Sequence, residues 1–139
     1  MENKIIELIY PELSYRLVGV LFKVFNTLGP GCLEKHYQRA VAIALTTEDL
    51  TFKEQVYAPM EFGGEKVGCY YLDFLIENKI VLEIKRGERF TRPNIDQIYN
   101  YIRRFDLKLG ILANFTKEGI LFKRILNIKE DPGPKTPAT

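Results

Sequence analysis

Three ionisable side chains, Asp73, Glu83 and Lys85, interrupt two apolar runs in the middle of the chain. The runs cover residues 70–76 and 80–86, and both are rich in aliphatic and aromatic residues. Such runs on either side of a short polar break predict a β-hairpin. Residues two apart share a face of a strand, so the side chains of Glu83 and Lys85 are expected to point the same way.

The register of this hairpin depends on the polar segment 77–79 between the runs. If these residues form a three-residue loop, Ile76 pairs with Ile80 and Asp73 falls opposite Glu83. The same register sets Tyr71 opposite Lys85. A two-residue turn without a bulge would instead send Glu83 to the other face of the sheet, because a shift of one residue reverses every side chain.

A carboxylate pair in this register has a specific chemical need. Directly opposed residues have Cβ atoms about 5 Å apart, and two carboxylates that close repel each other unless a proton or a cation lies between them. A hard divalent metal suits them, since oxygen ligands are what Mg²⁺ prefers. Asp73 and Glu83 could therefore hold Mg²⁺ or Mn²⁺ for the hydrolysis of a phosphodiester, and Lys85 could orient or deprotonate the attacking water.

The alternative is that Glu83 and Lys85 simply alternate on the exposed face of a half-buried strand. The preceding segment Ile80-Val81-Leu82 argues against it, because a continuous apolar run is typical of a strand covered on both faces. Charged groups at the end of such a strand have a desolvation cost unless they are paired or bind an ion.

The rest of the chain predicts the elements that must hold this hairpin. Apolar spacings of three and four residues predict helices, and alternating or β-branched runs predict strands. The predicted order is α-α-β-β-β-α-β-β, which favours a mixed β-sheet flanked by α-helices. The helices are expected over 11–28, 33–47 and 93–105, and the strands over 52–60, 107–113 and 119–125 beside the hairpin over 66–85.

Composition limits the protein class. The 139 residues are 46% hydrophobic and 27% charged, which fits a single domain over 1–129. The segment 130–139 carries three prolines and few apolar groups, and we expect it to be a disordered tail. No run approaches the roughly 20 apolar residues of a membrane span. The N-terminus has no signal-peptide pattern, and Cys32 and Cys69 fit no metal spacing, so we expect a cytoplasmic protein with free thiols.

The net charge of only +2 gives no general indication of nucleic-acid binding. Charge is unevenly distributed, however, with seven basic residues against three acidic ones between Lys85 and Lys108. Arg86, Arg89 and Arg92 lie in the loop that leaves the Lys85 strand, and arginine near an aromatic residue can hold phosphate and stack on a base. A solvated loop of mixed charge is the alternative for this set.

The motifs together resemble a known family. Asp73 followed by Glu83-Ile84-Lys85 resembles the PD-(D/E)XK nuclease motif. The segment Gly31-Cys32-Leu33-Glu34-Lys35-His36-Tyr37 resembles the signature of the GxxExxY protein family, a branch of that superfamily. Segments 54–59, 97–101 and 110–115 resemble further elements in the same order, so the resemblance covers about residues 10 to 126. One departure is that Leu72, not proline, precedes Asp73.

The resemblance implies a restriction-endonuclease-like core and a nuclease that acts on DNA with Mg²⁺ or Mn²⁺. It implies that Glu34 is a further metal ligand beside the Ile84 carbonyl; without it, Glu34 only complements the dipole of its helix. It also implies that Gln97 and Tyr101 contact substrate, although they could equally form a half-exposed helix shoulder. Iron–sulfur members of the superfamily need four cysteines, so no such cluster is expected here.

Two other functions stay open at this point. One is a non-catalytic module that binds nucleic acid or protein on the same core. The other is a structure-specific Holliday-junction resolvase, a chemistry usually carried out by homodimers. The complete set of Glu34, Asp73, Glu83 and Lys85 favours an active enzyme, because a degenerate site usually loses a member.

Overall fold

The computed structural model describes residues 9–128. Residues 1–8 and 129 of the predicted domain, and the predicted tail over 130–139, lie outside the described residues. The described elements follow the predicted order. They are α1 (Pro11–Leu28), α2 (Glu34–Thr47), β1 (Phe52–Phe62), β2 (Glu65–Ile76), β3 (Ile80–Arg86), α3 (Arg92–Arg104), β4 (Leu109–Phe115) and β5 (Ile120–Leu126). Among residues 9–128, no helix is long and apolar enough to cross a membrane.

The five strands form one sheet in the order β1-β2-β3-β4-β5. β3 and β4 are parallel, and the other neighbours are antiparallel. A parallel pair needs a crossover connection, which α3 supplies between β3 and β4. The prediction of an α/β fold with a mixed sheet and flanking helices is confirmed.

Two apolar clusters hold the helices to the sheet. The larger one joins α1 and α2 to side chains that include Leu82 and Ile84 of β3. The smaller one joins α3 to a set that includes Val81 of β3 and Leu112 of β4. β3 is therefore covered on both faces, as its continuous apolar run predicts, and polar groups at its end are drawn out of water.

The hairpin loop has the predicted length. Ile76 pairs with Ile80, and the Lys79 amide donates to the Ile76 carbonyl at 2.8 Å. Glu77 and Asn78 adopt left-handed backbone conformations with φ of 53° and 54°. Three residues thus close the turn, and the register that sets Asp73 toward Glu83 is the one observed.

The ladder between β2 and β3 is short, however. It ends at the pair of Phe74 with Leu82, so the predicted pair of Tyr71 with Lys85 is not part of it. β2 continues for nine residues on the N-terminal side of Phe74, paired with β1 as far as the Phe62–Glu65 end. The two strands of the hairpin therefore separate at the level of Asp73 and Glu83.

A kink in the β1–β2 pair accompanies this separation. Gln55, on β1, has a φ of 50° and lies between the pairs that flank Asp73. Phe52 and Phe74, on one side of the kink, pack in the α1–α2 cluster. Leu72, on the other side, packs in the α3 cluster. Leu72 and Phe74 are two residues apart yet pack in different clusters, so the alternation of side chains between the two faces of β2 breaks at Asp73.

Gly110 allows α3 to pack closely on β4. A Cβ atom at this position would lie 2.2 Å from Cγ2 of Ile98. We expect Gly110→Ala to lower the free energy of unfolding by about 2 kcal/mol or more, as overpacking of a core does. Urea denaturation monitored by circular dichroism measures this change.

Gly19 provides the matched control on the exposed side of α1, where an added Cβ would meet nothing within 4 Å. Gly19→Ala should stabilise the protein by about 0.5–1 kcal/mol through helix propensity. Equal effects of the two substitutions would contradict the packing described for α3.

Candidate active site

Asp73 and Glu83 bond to the backbone of the opposite strand where the ladder stops. The Asp73 amide donates to Oε1 of Glu83 at 2.5 Å, and the Ile84 amide donates to Oδ2 of Asp73 at 2.8 Å. Each carboxylate thus accepts a hydrogen bond from a backbone amide that lies beyond the end of the β2–β3 ladder. The two side chains are only 6% and 4% exposed. This reciprocal arrangement fixes both carboxylates at the fork between β2 and β3.

Burial sets the protonation of this pair. Desolvation raises the pKa of Asp73 to about 6, although the bond from the Ile84 amide and the charge of Lys85 oppose the shift. Desolvation and then the charge of Asp73 raise the pKa of Glu83 to about 7. The pair therefore favours a bound proton or a cation near neutral pH, which is the property expected of adjacent carboxylates.

Lys85 and Glu34 complete the cluster. The Lys85 ammonium group lies 3.7 Å from Oε2 of Glu83 and 3.7 Å from Oε1 of Glu34. The Arg86 amide donates to Oε2 of Glu34 at 3.3 Å, which ties the start of α2 to the end of β3. The four predicted residues thus meet, although Glu34 belongs to a distant part of the chain.

The turn before α2 explains how Glu34 reaches this position. Gly31 adopts a φ of 90°, a conformation that favours glycine, and α2 begins three residues later. The buried Tyr37 hydroxyl donates to the Gly29 carbonyl at 2.6 Å and accepts a bond from the Cys32 amide at 3.3 Å. Its ring lies against Phe115 at 4.3 Å between centroids. Gly31 and Tyr37 therefore stabilise the turn before α2, and this turn places Glu34 in the cluster.

Gln38 also belongs to the site, and sequence reasoning did not select it. Its Nε2 donates to Oδ1 of Asp73 at 3.0 Å. Gln38 follows Glu34 by four residues, so the two share a face of α2. That spacing was the available signal. With Gln38 on one oxygen and the Ile84 amide on the other, the Asp73 carboxylate is held in a single orientation.

Gln97 and Tyr101 line a groove of about 550 Å³ on the α3 side of the sheet. Tyr70 links this groove to the carboxylates: its hydroxyl donates to the Gln97 carbonyl at 2.8 Å, and burial, followed by the charge of Glu83, raises the Tyr70 pKa. Gln97 and Tyr101 are thus neighbours of the site through Tyr70, and the structure gives neither a direct bond to Asp73 or Glu83. Sequence reasoning assigned Tyr70 no role.

The prediction that Arg86, Arg89 and Arg92 lie in the loop after β3 is wrong for two of them: Arg86 is the last residue of β3 and Arg92 the first of α3, so only Arg89 lies in the loop 87–91. Arg86 lies at the end of β3, beside Glu34. The Arg89 carbonyl accepts a 2.6 Å bond from Nδ2 of Asn114, whose strand position pairs with Lys85. Arg92 forms an exposed ion pair with Asp96, at 3.1 Å within α3. Asn114, a buried residue that the sequence did not single out, therefore holds the middle of this basic loop.

The side chains present suit a hard divalent cation. Asp73, Glu83 and Glu34 offer carboxylate oxygens, and burial of the first two raises the cost of leaving their charges uncompensated. Among residues 9–128, no three His, Cys, Asp or Glu side chains are already arranged around one point as metal ligands. In this structure the ammonium group of Lys85 lies 3.7 Å from both glutamates and compensates their charge.

Comparisons with known proteins identify the class. The model of the PD-(D/E)XK nuclease superfamily matches residues 11–125, so the chain belongs to this superfamily. A solved structure described as "Crystal structure of SSO0001" is 20% identical, with a TM-score of 0.45. The alignment covers 64% of this chain and 46% of that chain, so this chain spans less than half of its length. Comparison with curated proteins gives no match.

The raised pKa values of Asp73 and Glu83 predict how the metal-free protein responds to pH. The folded state keeps protons that the unfolded state releases above about pH 4, the ordinary range of carboxyl groups. Their contribution to stability is therefore fully present below about pH 4 and is lost as the pH rises to about 7. The loss should amount to a few kcal/mol, on the order of 1.4 kcal/mol per pKa unit.

The measurement is urea denaturation in EDTA at about pH 5 and about pH 8, comparing the native chain with a variant that carries Asp73→Asn and Glu83→Gln. The native chain should lose stability relative to the variant as the pH rises. Glu54→Gln, which removes an exposed carboxylate of β1, controls for general charge effects. A difference that does not change with pH would refute this electrostatic description.

Proposed function

We propose that this protein is a metal-dependent nuclease that hydrolyses phosphodiester bonds in DNA. The observation that carries the proposal is the pair of buried carboxylates, Asp73 and Glu83, held by reciprocal backbone bonds beside Lys85. A protein that only binds nucleic acid has no need for two desolvated carboxylates and a lysine at one fork of its sheet. Membership in a superfamily of nucleases supports the same conclusion.

Asp73 and Glu83 would hold Mg²⁺ or Mn²⁺ together with the Ile84 carbonyl, and Glu34 would add a further ligand. Such a cation would neutralise the scissile phosphate and make it more electrophilic. Gln38 keeps the Asp73 carboxylate in the required orientation through its 3.0 Å bond. The fixed backbone bonds mean that the carboxylates need little reorganisation to act as ligands.

Lys85 would act on the attacking water. Its ammonium group is already within 3.7 Å of both Glu34 and Glu83, and it is one-third exposed, so it can reach solvent and substrate from the same position. From there it would orient the water and offset the negative charge that develops on the phosphorane. Displacement of Lys85 from the carboxylates by a cation would free it for this role.

The substrate strand would contact the surfaces on both sides of the fork. Gln97 and Tyr101 line the groove beside Tyr70, and Arg86, Arg89 and Arg92 supply positive charge from the end of β3 to the start of α3. Asn114 fixes the backbone of the loop 87–91 at Arg89, which supports the assignment of Arg89 to a phosphate contact. Asp96 would have to share Arg92 with a phosphate group.

The geometry of Gly31, Glu34 and Tyr37 supports placing the chain in the GxxExxY branch of the superfamily. A nuclease of this kind would serve DNA repair, recombination or defence. Free Cys32 and Cys69 are compatible with action in the cytoplasm. A homodimer would be required if the substrate is a branched junction, since two strands must then be cut.

Lys85→Ala tests the catalytic assignment. We expect the cutting of DNA in the presence of Mn²⁺ to fall by about 10²-fold or more, the usual contribution of a positioned acid or base. Binding of Mn²⁺, measured by calorimetry, should persist, because Asp73 and Glu83 remain. Circular dichroism checks that the variant is folded.

Lys108→Ala is the matched control, since Lys108 is an exposed lysine next to Leu109, at the opposite end of β4 from the position that pairs with Lys85. It should cut DNA as the native chain does. Unchanged cutting by Lys85→Ala would remove Lys85 from the mechanism. Failure of the native chain to bind Mn²⁺ or Mg²⁺ at millimolar concentration would favour a non-catalytic module.

A further inference from the structure

The outer half of the β1–β2 pair forms a two-stranded arm. Beyond Phe74, β2 no longer pairs with β3, whereas its pairing with β1 continues to the turn at residues 63–64. One face of the arm packs on α3: Ala58 and Leu72 are buried in that cluster, and Glu61 forms an ion pair with Arg104 at 2.6 Å. The opposite face of the arm has no helix packed on it in the described part of the chain.

That opposite face carries a pair of exposed aromatic rings. Tyr57 lies opposite Tyr71, and their rings meet edge to face with 5.8 Å between centroids. The side chains are 44% and 53% exposed. Lys66 places its ammonium nitrogen 5.2 Å from the Tyr57 centroid. Exposure of large aromatic side chains to water has a free-energy cost. The same rings can stack on a nucleic-acid base, and the neighbouring lysine can contact its phosphate.

The aromatic pair is continuous with the carboxylate site. Tyr71 precedes Asp73 by two residues on β2, which is about 7 Å along a strand, and alternate residues share a face. Asp73 on that face contacts α2 through Gln38. A strand of nucleic acid lying across Tyr57 and Tyr71 would therefore reach Asp73 within one or two nucleotides.

The other wall of this region is basic. Arg39 of α2 and Glu54 of β1 line one cavity of about 400 Å³, which shows that α2 and β1 border a common cleft. Lys35 is exposed four residues before Arg39, so the two lie on the same side of α2. Because Glu54 lies on the β1 wall, a phosphate backbone would follow the α2 wall, along Lys35 and Arg39.

We propose that the arm and α2 bind single-stranded DNA, with bases stacked on Tyr57 and Tyr71 and phosphates along Lys35, Arg39 and Lys66. Unpaired bases expose the ring faces that these tyrosines can stack on, whereas the bases of a duplex present only their edges. The inference rests on the proposed nuclease function and extends it: the strand delivered to Asp73 and Glu83 is an unpaired one.

The test measures binding of a fluorescent oligo-dT and of a duplex of the same length by anisotropy, in EDTA, with the full chain. A variant with Tyr57→Ala and Tyr71→Ala should bind oligo-dT about 30-fold more weakly or worse, given the usual contribution of base stacking at each of two tyrosines. Its affinity for duplex should change little. A variant with both tyrosines replaced by phenylalanine should bind oligo-dT like the native chain, because the stacking surface is kept.

Tyr15→Ala is the matched control, since Tyr15 is a highly exposed tyrosine on α1, away from the arm. Lys35→Ala and Arg39→Ala should each make the dependence of log K on log salt less steep by about 0.7, the value for one phosphate contact of a single strand. Unchanged oligo-dT affinity in the alanine pair would overturn the proposal. A fall in molecular mass in solution without loss of DNA affinity would also overturn it, because the tyrosines would then serve self-association.

The two proposals can fail separately. Binding in EDTA does not depend on metal or on Lys85, so intact binding without any cutting would count against the nuclease alone. Cutting of single strands that does not respond to loss of Tyr57 and Tyr71 would leave the nuclease in place and remove the arm from substrate binding.

Discussion

Two backbone amides at the fork between β2 and β3 constrain the whole arrangement. Once the ladder stops at Phe74 and Leu82, the amides of Asp73 and Ile84 need other acceptors, because a buried amide without a partner costs about 1–3 kcal/mol. The carboxylates of Glu83 and Asp73 supply them. The hydrogen bonds that pair these two amides therefore also bury two carboxylates. Burial makes their charged forms unfavourable unless a proton or a cation is bound.

The surrounding elements maintain this fork. Gln55 adopts a left-handed conformation beside the fork, α3 packs closely on β4 at Gly110, and the Tyr37 bonds to the preceding turn hold the start of α2, where Glu34 meets Lys85. Neither the sheet nor the helices alone would bring these groups together. The burial of Asp73 and Glu83 destabilises their ionised forms in the folded protein. For the same reason, a positively charged ligand is favoured at this position.

Much of this could be predicted from local patterns. Apolar periodicity and the glycine and proline breaks indicate all eight elements with their ends within about two residues, and the three-residue loop fixes the pairing of Ile76 with Ile80. The early end of the β2–β3 ladder could not be predicted, because the apolar pattern of both strands continues past it; nor could the left-handed conformation of Gln55, whose residue type does not require it. Gln38 and Asn114 were not predicted because their roles come from tertiary contacts, and one side-chain amide in a helix or strand gives no sequence pattern that indicates such a contact.

The metal site that we propose at Asp73 and Glu83 can be tested with a crystal soaked in Mn²⁺ and measured at the manganese absorption edge. We expect an anomalous peak at coordination distance, about 2.1 Å, from oxygens of both Asp73 and Glu83, with the Lys85 ammonium group displaced from them. A soaked crystal with Lys85 still paired to Glu83 and no anomalous density at these carboxylates would contradict it.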